Sequence, residues 1–277
     1  MVISFGQRLK DSFSAKGQLC VGLDPSAEQL QKWGIDYSAT GAEKFCNLII
    51  DACQHRVGIL KPQVSFFEQF GPEGFVSLQR ILDRASNEGF LVIADAKRGD
   101  IGSTMDGYAK AWIESEAPFR ADAITVSPYL GPDSLTSFCS IATANQKGVF
   151  VLAATSNPEA RASQSASVEG GESVAGNVVS FASSVNQEGF GSVGVVLGAK
   201  TDLAGMGIDR TQLASIPILA PGFGVQGAKL TDATKIFGHL ASNVVFSVSR
   251  SVAGDNRVGL QDRVQSAIDD LKIGLSR

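Results

Sequence analysis

The chain repeats one pattern eight times: a short, almost uninterrupted apolar run rich in β-branched residues, then a stretch long enough for a helix. The runs are Leu19–Leu23, Val57–Leu60, Phe90–Ala94, Ala123–Val126, Val149–Ala153, Val193–Leu197, Ile216–Ala220 and Val244–Val248. A strand with one wet face alternates apolar and polar residues. These runs mostly do not, so both of their faces must be covered. Helices can cover one face, and the filled interior of a closed barrel the other. The expected architecture is therefore α/β, a single (β/α)8 TIM barrel over residues 1–277. The length of 277 residues is close to the roughly 250 typical of such barrels.

The intervening stretches carry helical periodicity. Phe75, Leu78, Ile81, Leu82 and Ala85 recur at three- and four-residue steps, which places them on one face. Gly71-Pro72-Glu73 and Gly131-Pro132-Asp133 put a proline and an acid where the first turn of a helix favours them. The segment from Met1 to Asp11 mixes charged and apolar residues, so it reads as an amphipathic lead-in helix and not as a signal peptide. The stretch from Ala160 to Gly176, rich in Ala, Ser, Gly and Glu, reads as a mobile excursion after the fifth strand.

Composition narrows the function. A net charge of −4 and a pI near 5.3 give no electrostatic footprint for nucleic acid or an anionic membrane. No apolar run approaches the ~20 residues needed to cross a bilayer, so a cytoplasmic protein is expected. Cys20, Cys46, Cys53 and Cys139 form no paired framework and are expected to be reduced. Cys46 and Cys53 share a helical face with Ile49 and Ile50 and read as core. His55 and His239 have no second ligand at zinc-type spacing.

In a barrel of this kind the chemistry lies at the C-terminal ends of the strands. The third run ends in Asp95-Ala96-Lys97-Arg98-Gly99-Asp100. Asp95 and Lys97 are two apart, so while the strand persists they project to the same side, bringing a carboxylate and an ammonium into the mouth together. Asp100 follows a glycine, in a turn able to return to that point or reach a neighbouring subunit. After the seventh run comes Pro221-Gly222-Phe223-Gly224-Val225-Gln226-Gly227, whose glycines allow backbone N–H groups to approach a phosphate. After the eighth comes Arg250, whose planar fork suits the same group. Gln226 and Arg250 therefore fall where barrels usually bind phosphate.

The set Asp95-x-Lys97-x-x-Asp100 with Ile101 behind it resembles the signature of the orotidine 5'-phosphate decarboxylases, shared with a sister group of magnesium-dependent sugar-phosphate enzymes. Lys61-Pro62 at the second strand end resembles the decarboxylases, since the sister enzymes carry a metal-binding acid there. Thr155-Ser156-Asn157-Pro158 is similar to the longer bacterial branch of the family, and the resemblance covers seven of eight strand ends from Asp24 to Arg250. Ser249, where many relatives have glycine, and the Ala160 to Gly176 excursion depart from it.

The resemblance implies conversion of orotidine monophosphate to uridine monophosphate with no cofactor and no metal. Lys97 would stabilise a carbanion at C6 of the pyrimidine and protonate it, with Asp95 beside the substrate carboxylate. Lys61 and Asp100 would complete an alternating chain of charges. Asp24 would contact the ribose, Ser156 the base, and Gln226 and Arg250 the phosphate; because that grip is remote from C6, the loop from Gly222 to Ala228 is expected to be a lid that its energy closes. It further implies a homodimer in which Asp100 and Thr104 reach into the neighbour's site. The alternatives are a magnesium-dependent sister enzyme, which Lys61 disfavours, a class I aldolase, which the acids flanking Lys97 disfavour, and a nucleotide-phosphate sensor without catalysis.

Overall fold

The computed structural model describes residues 3–186 and 189–276. Eight parallel strands close into a barrel in sequence order. They are β1 (Leu19–Leu23), β2 (Ile59–Pro62), β3 (Leu91–Arg98), β4 (Ala123–Val126), β5 (Gly148–Ala154), β6 (Val193–Leu197), β7 (Ile218–Ala220) and β8 (Val244–Val248). Closure is made by β1 pairing with β8, Leu19 opposite Phe246 and Val21 opposite Val248. The expected (β/α)8 barrel is thus the observed one.

Helices cover the outside, as the uniformly apolar runs require. The helix Gly71–Asn87 begins at the Gly-Pro-Glu signal and buries Leu78, Ile81, Leu82 and Ala85. Gly131-Pro132-Asp133 opens a short 3-10 turn, Pro132–Leu135, that leads into the helix Thr136–Ala144. The excursion after β5 is structured. It holds a short helix, Ala160–Gln164, and a bridge between Ser167 and Ser173, and ends where the helix Val174–Val185 starts under a Ser173 cap.

Inside the barrel one residue from each strand forms a floor: Cys20, Ile59, Ile93, Ala123, Phe150, Val196, Leu219 and Val245. Phe5 and Leu9, both fully buried, push up against this ring from below. They belong to the lead-in helix Phe5–Lys16, capped by Ser4, whose side chain accepts the Gln7 N–H. Met1 and Val2, part of the expected lead-in, lie outside the described residues. The helix has a defined task, which is to plug the N-terminal end of the barrel with aromatic and aliphatic surface.

The floor fixes the site by parity. Alternate residues of a strand face the same side, so a step of two toward the mouth from the ring gives Gly22, Lys61, Asp95, Thr125, Leu152 and Ser247. All but Gly22 line a cavity at the C-terminal end of the barrel, where Asp24 stands in from the end of β1.

Candidate active site

The cavity encloses about 280 Å³. One wall is charged. Lys61, 6% exposed, places Nζ 2.8 Å from Asp95 Oδ2, and the more open Lys97 places Nζ 2.5 Å from Asp95 Oδ1. Asp95 is buried, so its charge stands only because donors surround it. Burial alone would raise its pKa, but Lys61 and then Lys97 outweigh burial and hold it well below the usual carboxylate range. Burial would likewise lower the Lys61 pKa, yet Asp95 and Asp24 reverse the direction and keep the ammonium protonated. The order along the wall is cation, anion, cation.

Lys97 reaches this place by a distorted backbone. The β3–β4 register shifts between Ala94 and Arg98, and Lys97 has φ +49, a left-handed conformation that a side chain disfavours. The expectation of plain strand alternation is therefore corrected. Asp95 and Lys97 do meet in the mouth, but across a bulge. Thr125 of β4 accepts the Lys97 N–H at 3.0 Å, and its hydroxyl donates to Asp95 Oδ1 at 3.0 Å. Gln63 donates to the Asp95 carbonyl and accepts from Lys97 Nζ at 3.5 Å.

Asp24, just past β1, lines the same cavity, and its Oδ1 is buried without a hydrogen-bond partner among the described residues. Across the mouth the loop after β7 contributes Gly222, Phe223, Val225 and Gln226, and the end of β8 contributes Ser249 and Arg250. Gly222, Gly224 and Gly227 have φ between +82 and +111, conformations that glycine adopts without penalty. The loop is internally bonded: Gly224 donates to Ala228, Gly227 to Gly224 and Ala228 to Gly222. Those three N–H groups are engaged within the loop, and the Gln226 side chain and the Arg250 guanidinium add donors at this end of the cavity.

A model of the orotidine 5'-phosphate decarboxylase / HUMPS family matches residues 17–259. The chain belongs to this family. Two relatives bearing the name orotidine 5'-phosphate decarboxylase illustrate the likeness. One, from Streptomyces coelicolor, is 43% identical over 253 residues, covering 90% of this chain and 89% of its own. The other, from Salinispora arenicola, is 40% identical over 279 residues and 99% of each. Among solved structures, one from Streptomyces avermitilis superposes with a TM-score of 0.93 at 38% identity, covering 100% of this chain and 97% of that one. The Leishmania donovani OMP decarboxylase does so with 0.77 at 29% identity, covering 99% and 100%.

Of the residues singled out from the sequence, Lys61, Asp95, Lys97, Asp24, Gln226 and Arg250 meet in one cavity of this family member. Ser156 does not line it. Ser156 is exposed on the rim, and its neighbour Thr155 forms the wall. A Cβ on Gly198 would sit 3.0 Å from the Ser156 nitrogen, so that glycine lets the end of β6 close on the segment. Asp100 and Thr104 lie outside the cavity as well. Asp100 accepts its neighbour Ile101's N–H at 2.8 Å, and Thr104 is exposed on the helix Gly102–Trp112.

The site also holds polar residues that the sequence reading passed over: Gln63, Thr125, Thr155 and Ser247. Parity could have found two of them, since Thr125 and Ser247 stand two residues beyond the inward positions Ala123 and Val245. Thr155 is held by the excursion. Gln164 accepts its N–H at 2.9 Å and donates to its hydroxyl at 3.1 Å.

Proposed function

We propose that this chain decarboxylates orotidine 5'-phosphate to uridine 5'-phosphate, with Lys97 as the group that meets the reacting carbon. The observation that carries the reading is the Lys61–Asp95–Lys97 array. When the C6–carboxylate bond breaks, its electron pair stays on C6, where the ring offers no delocalisation, and carbon dioxide leaves. A fixed ammonium stabilises that charge in place and then gives C6 a proton, after which solvent reprotonates the lysine. Asp95 lies beside the departing carboxylate and keeps Lys97 aimed. Lys61 keeps Asp95 ionised at the back of the pocket. An ammonium at position 61 cannot ligate a cation, which favours the decarboxylase over the magnesium-dependent branch.

The rest of the cavity fits the rest of the nucleotide. Asp24, with a buried oxygen open to a donor, suits a ribose hydroxyl. Arg250 and Gln226 suit the phosphate. Their grip is remote from C6, so its energy can close the 222–228 loop over the ring. The segment Thr155 to Asn157 suits the far edge of the base, with Ser156 turning in as the loops close. No cofactor enters this scheme, and the working place is the cytoplasm.

The same reading includes a homodimer. Gly99 packs on Ser127, its Cβ position 2.4 Å from the Ser127 carbonyl oxygen, which brings the β3 and β4 loops together. Just beyond stand Ile101, Tyr129 and Leu130, exposed by 60%, 92% and 53%. Large side chains exposed on these two loops suit a second copy, into whose site Asp100 and Thr104 would reach.

The test is the loss of orotidine monophosphate absorbance on adding protein in EDTA, with Lys97→Ala alongside. Metal-free turnover that disappears in the variant is expected. Absence of turnover by folded wild type, or turnover abolished by the chelator, would overturn the reading.

A further inference from the structure

We propose that Thr125 is a positioning residue that locks Asp95 and Lys97 to one another through a single hydroxyl. The inference rests on the reading that these two residues perform the chemistry. Thr125 sits mid-strand on β4, faces inward, and is 1% exposed. Its Oγ1 lies 3.0 Å from Asp95 Oδ1 and 3.0 Å from the backbone nitrogen of Lys97.

The direction of both hydrogen bonds is forced. An ionised carboxylate only accepts, and a backbone N–H only donates. The hydroxyl must therefore give its proton to Asp95 and take that of Lys97. With Lys97 Nζ donating to the same Asp95 oxygen at 2.5 Å, the contacts form a closed loop: the Lys97 N–H donates to Thr125, the Thr125 O–H to Asp95, and the Lys97 ammonium to that same carboxylate.

This loop acts where the sheet does not. Lys97 lies in the bulge between Ala94 and Arg98, with φ +49, so the β3–β4 ladder leaves its backbone unpinned in a conformation that lysine disfavours. The Thr125 hydroxyl takes the N–H in place of a ladder partner. Without it the backbone is released toward ordinary strand geometry, and the ammonium at the end of the side chain moves with it. Thr125 has no part in the phosphate grip, so substrate retention survives while the chemical step suffers.

Thr125→Val keeps the shape and removes the hydroxyl, and Thr125→Ser keeps the hydroxyl and removes a methyl group. In Thr125→Val kcat is expected to fall by about 100-fold, the order of loss that small misplacement causes. KM and inhibition by uridine monophosphate should stay within about threefold, the split that removal of a transition-state contact produces. Thr125→Ser should recover most of kcat. A valine variant that keeps wild-type kcat, or a folded serine variant that loses kcat as badly, overturns the proposal, as does a parallel loss of nucleotide binding. Lys97→Ala run alongside separates two failures. If it is inactive while Thr125→Val is normal, only the role of Thr125 falls. If Lys97→Ala turns over normally, the catalytic reading falls with it.

Discussion

The ring of Phe5 occupies the place that a side chain on Gly148 would need: a Cβ there would lie 2.3 Å from the ring's Cδ1. The lead-in helix can plug the barrel because β5 begins with a residue that has nothing to put in the way. Phe5 also meets Phe150 edge to face, with centroids 6.1 Å apart.

Phe5→Ala removes a fully buried ring and leaves a void under the floor. The expected loss is about 3–5 kcal/mol of folding free energy, measured by urea denaturation. Turnover at low temperature should be preserved, because the ring of eight residues separates Phe5 from the cavity. A variant as stable as wild type would show that the plug contributes nothing.

Stability at low pH should report the Lys61–Asp95 pair. The Asp95 carboxyl is held below its ordinary 3.8 in the folded chain. The unfolded chain therefore takes up a proton first as pH falls, so this contribution is complete above that value and is lost toward the folded pKa. Lys61→Met leaves Asp95 with Lys97 and Thr125 alone and moves its pKa back upward. Urea midpoints between pH 5 and pH 3 should then fall less steeply than in wild type. At pH 7 the variant should be less stable by about 3–5 kcal/mol, the usual cost of breaking a buried pair. Equal slopes would contradict the assignment.

Gln164 connects the excursion after β5 to the cavity wall. Gln164→Ala removes two hydrogen bonds from Thr155, one of them to its backbone. KM for the nucleotide is expected to rise by about 5–10-fold, equivalent to one modest hydrogen bond, with kcat changed much less. An unaltered KM would show that the excursion merely covers the barrel.

The four cysteines should resist thiol reagents in the native protein. All are buried and free. Burial pushes the Cys20, Cys53 and Cys139 thiols up to about 12, and Cys46 well above its ordinary value. Colorimetric titration should find no reactive thiol before denaturant is added, and four after. Rapid reaction of the folded protein would refute the burial argument.

Much of this fold is legible in the sequence. The runs Leu19–Leu23, Ala123–Val126, Val193–Leu197 and Val244–Val248 are strands at those bounds, because residues apolar on both faces have one use in a chain of this length. The apolar run of β3 ends at Ala94, whereas the strand continues to Arg98. Its last residues face the open mouth, where charge is tolerated, and so they carry no apolar signature. The apolar run of β7 begins at Ile216, but the strand starts at Ile218. Pro217 between them has no N–H to give to a ladder.

The candidate site divides in the same way. Lys61, Asp95, Lys97 and Arg250 stood out because charges rarely follow apolar strands without a purpose. Thr125 did not, because threonine is an ordinary strand residue and its hydroxyl is invisible in a pattern of apolar and polar letters. Thr155 was passed over in favour of Ser156, since the rim and wall of a strand end are one residue apart and only the turn decides which is which. Asp100 and Thr104 lie outside the cavity, which their spacing behind Lys97 does not reveal, because the turn at Gly99 decides where they go.

The closed floor has a consequence for traffic. Phe5, Leu9 and the ring above them are buried and packed together beneath the pocket, so among the described residues the pocket faces the mouth of the barrel. On the proposed reaction, carbon dioxide set free at the bottom and leaving by the mouth must pass the nucleotide still lying above it, or wait until that nucleotide leaves. If the 222–228 loop closes as proposed, its opening becomes the step through which both products must queue.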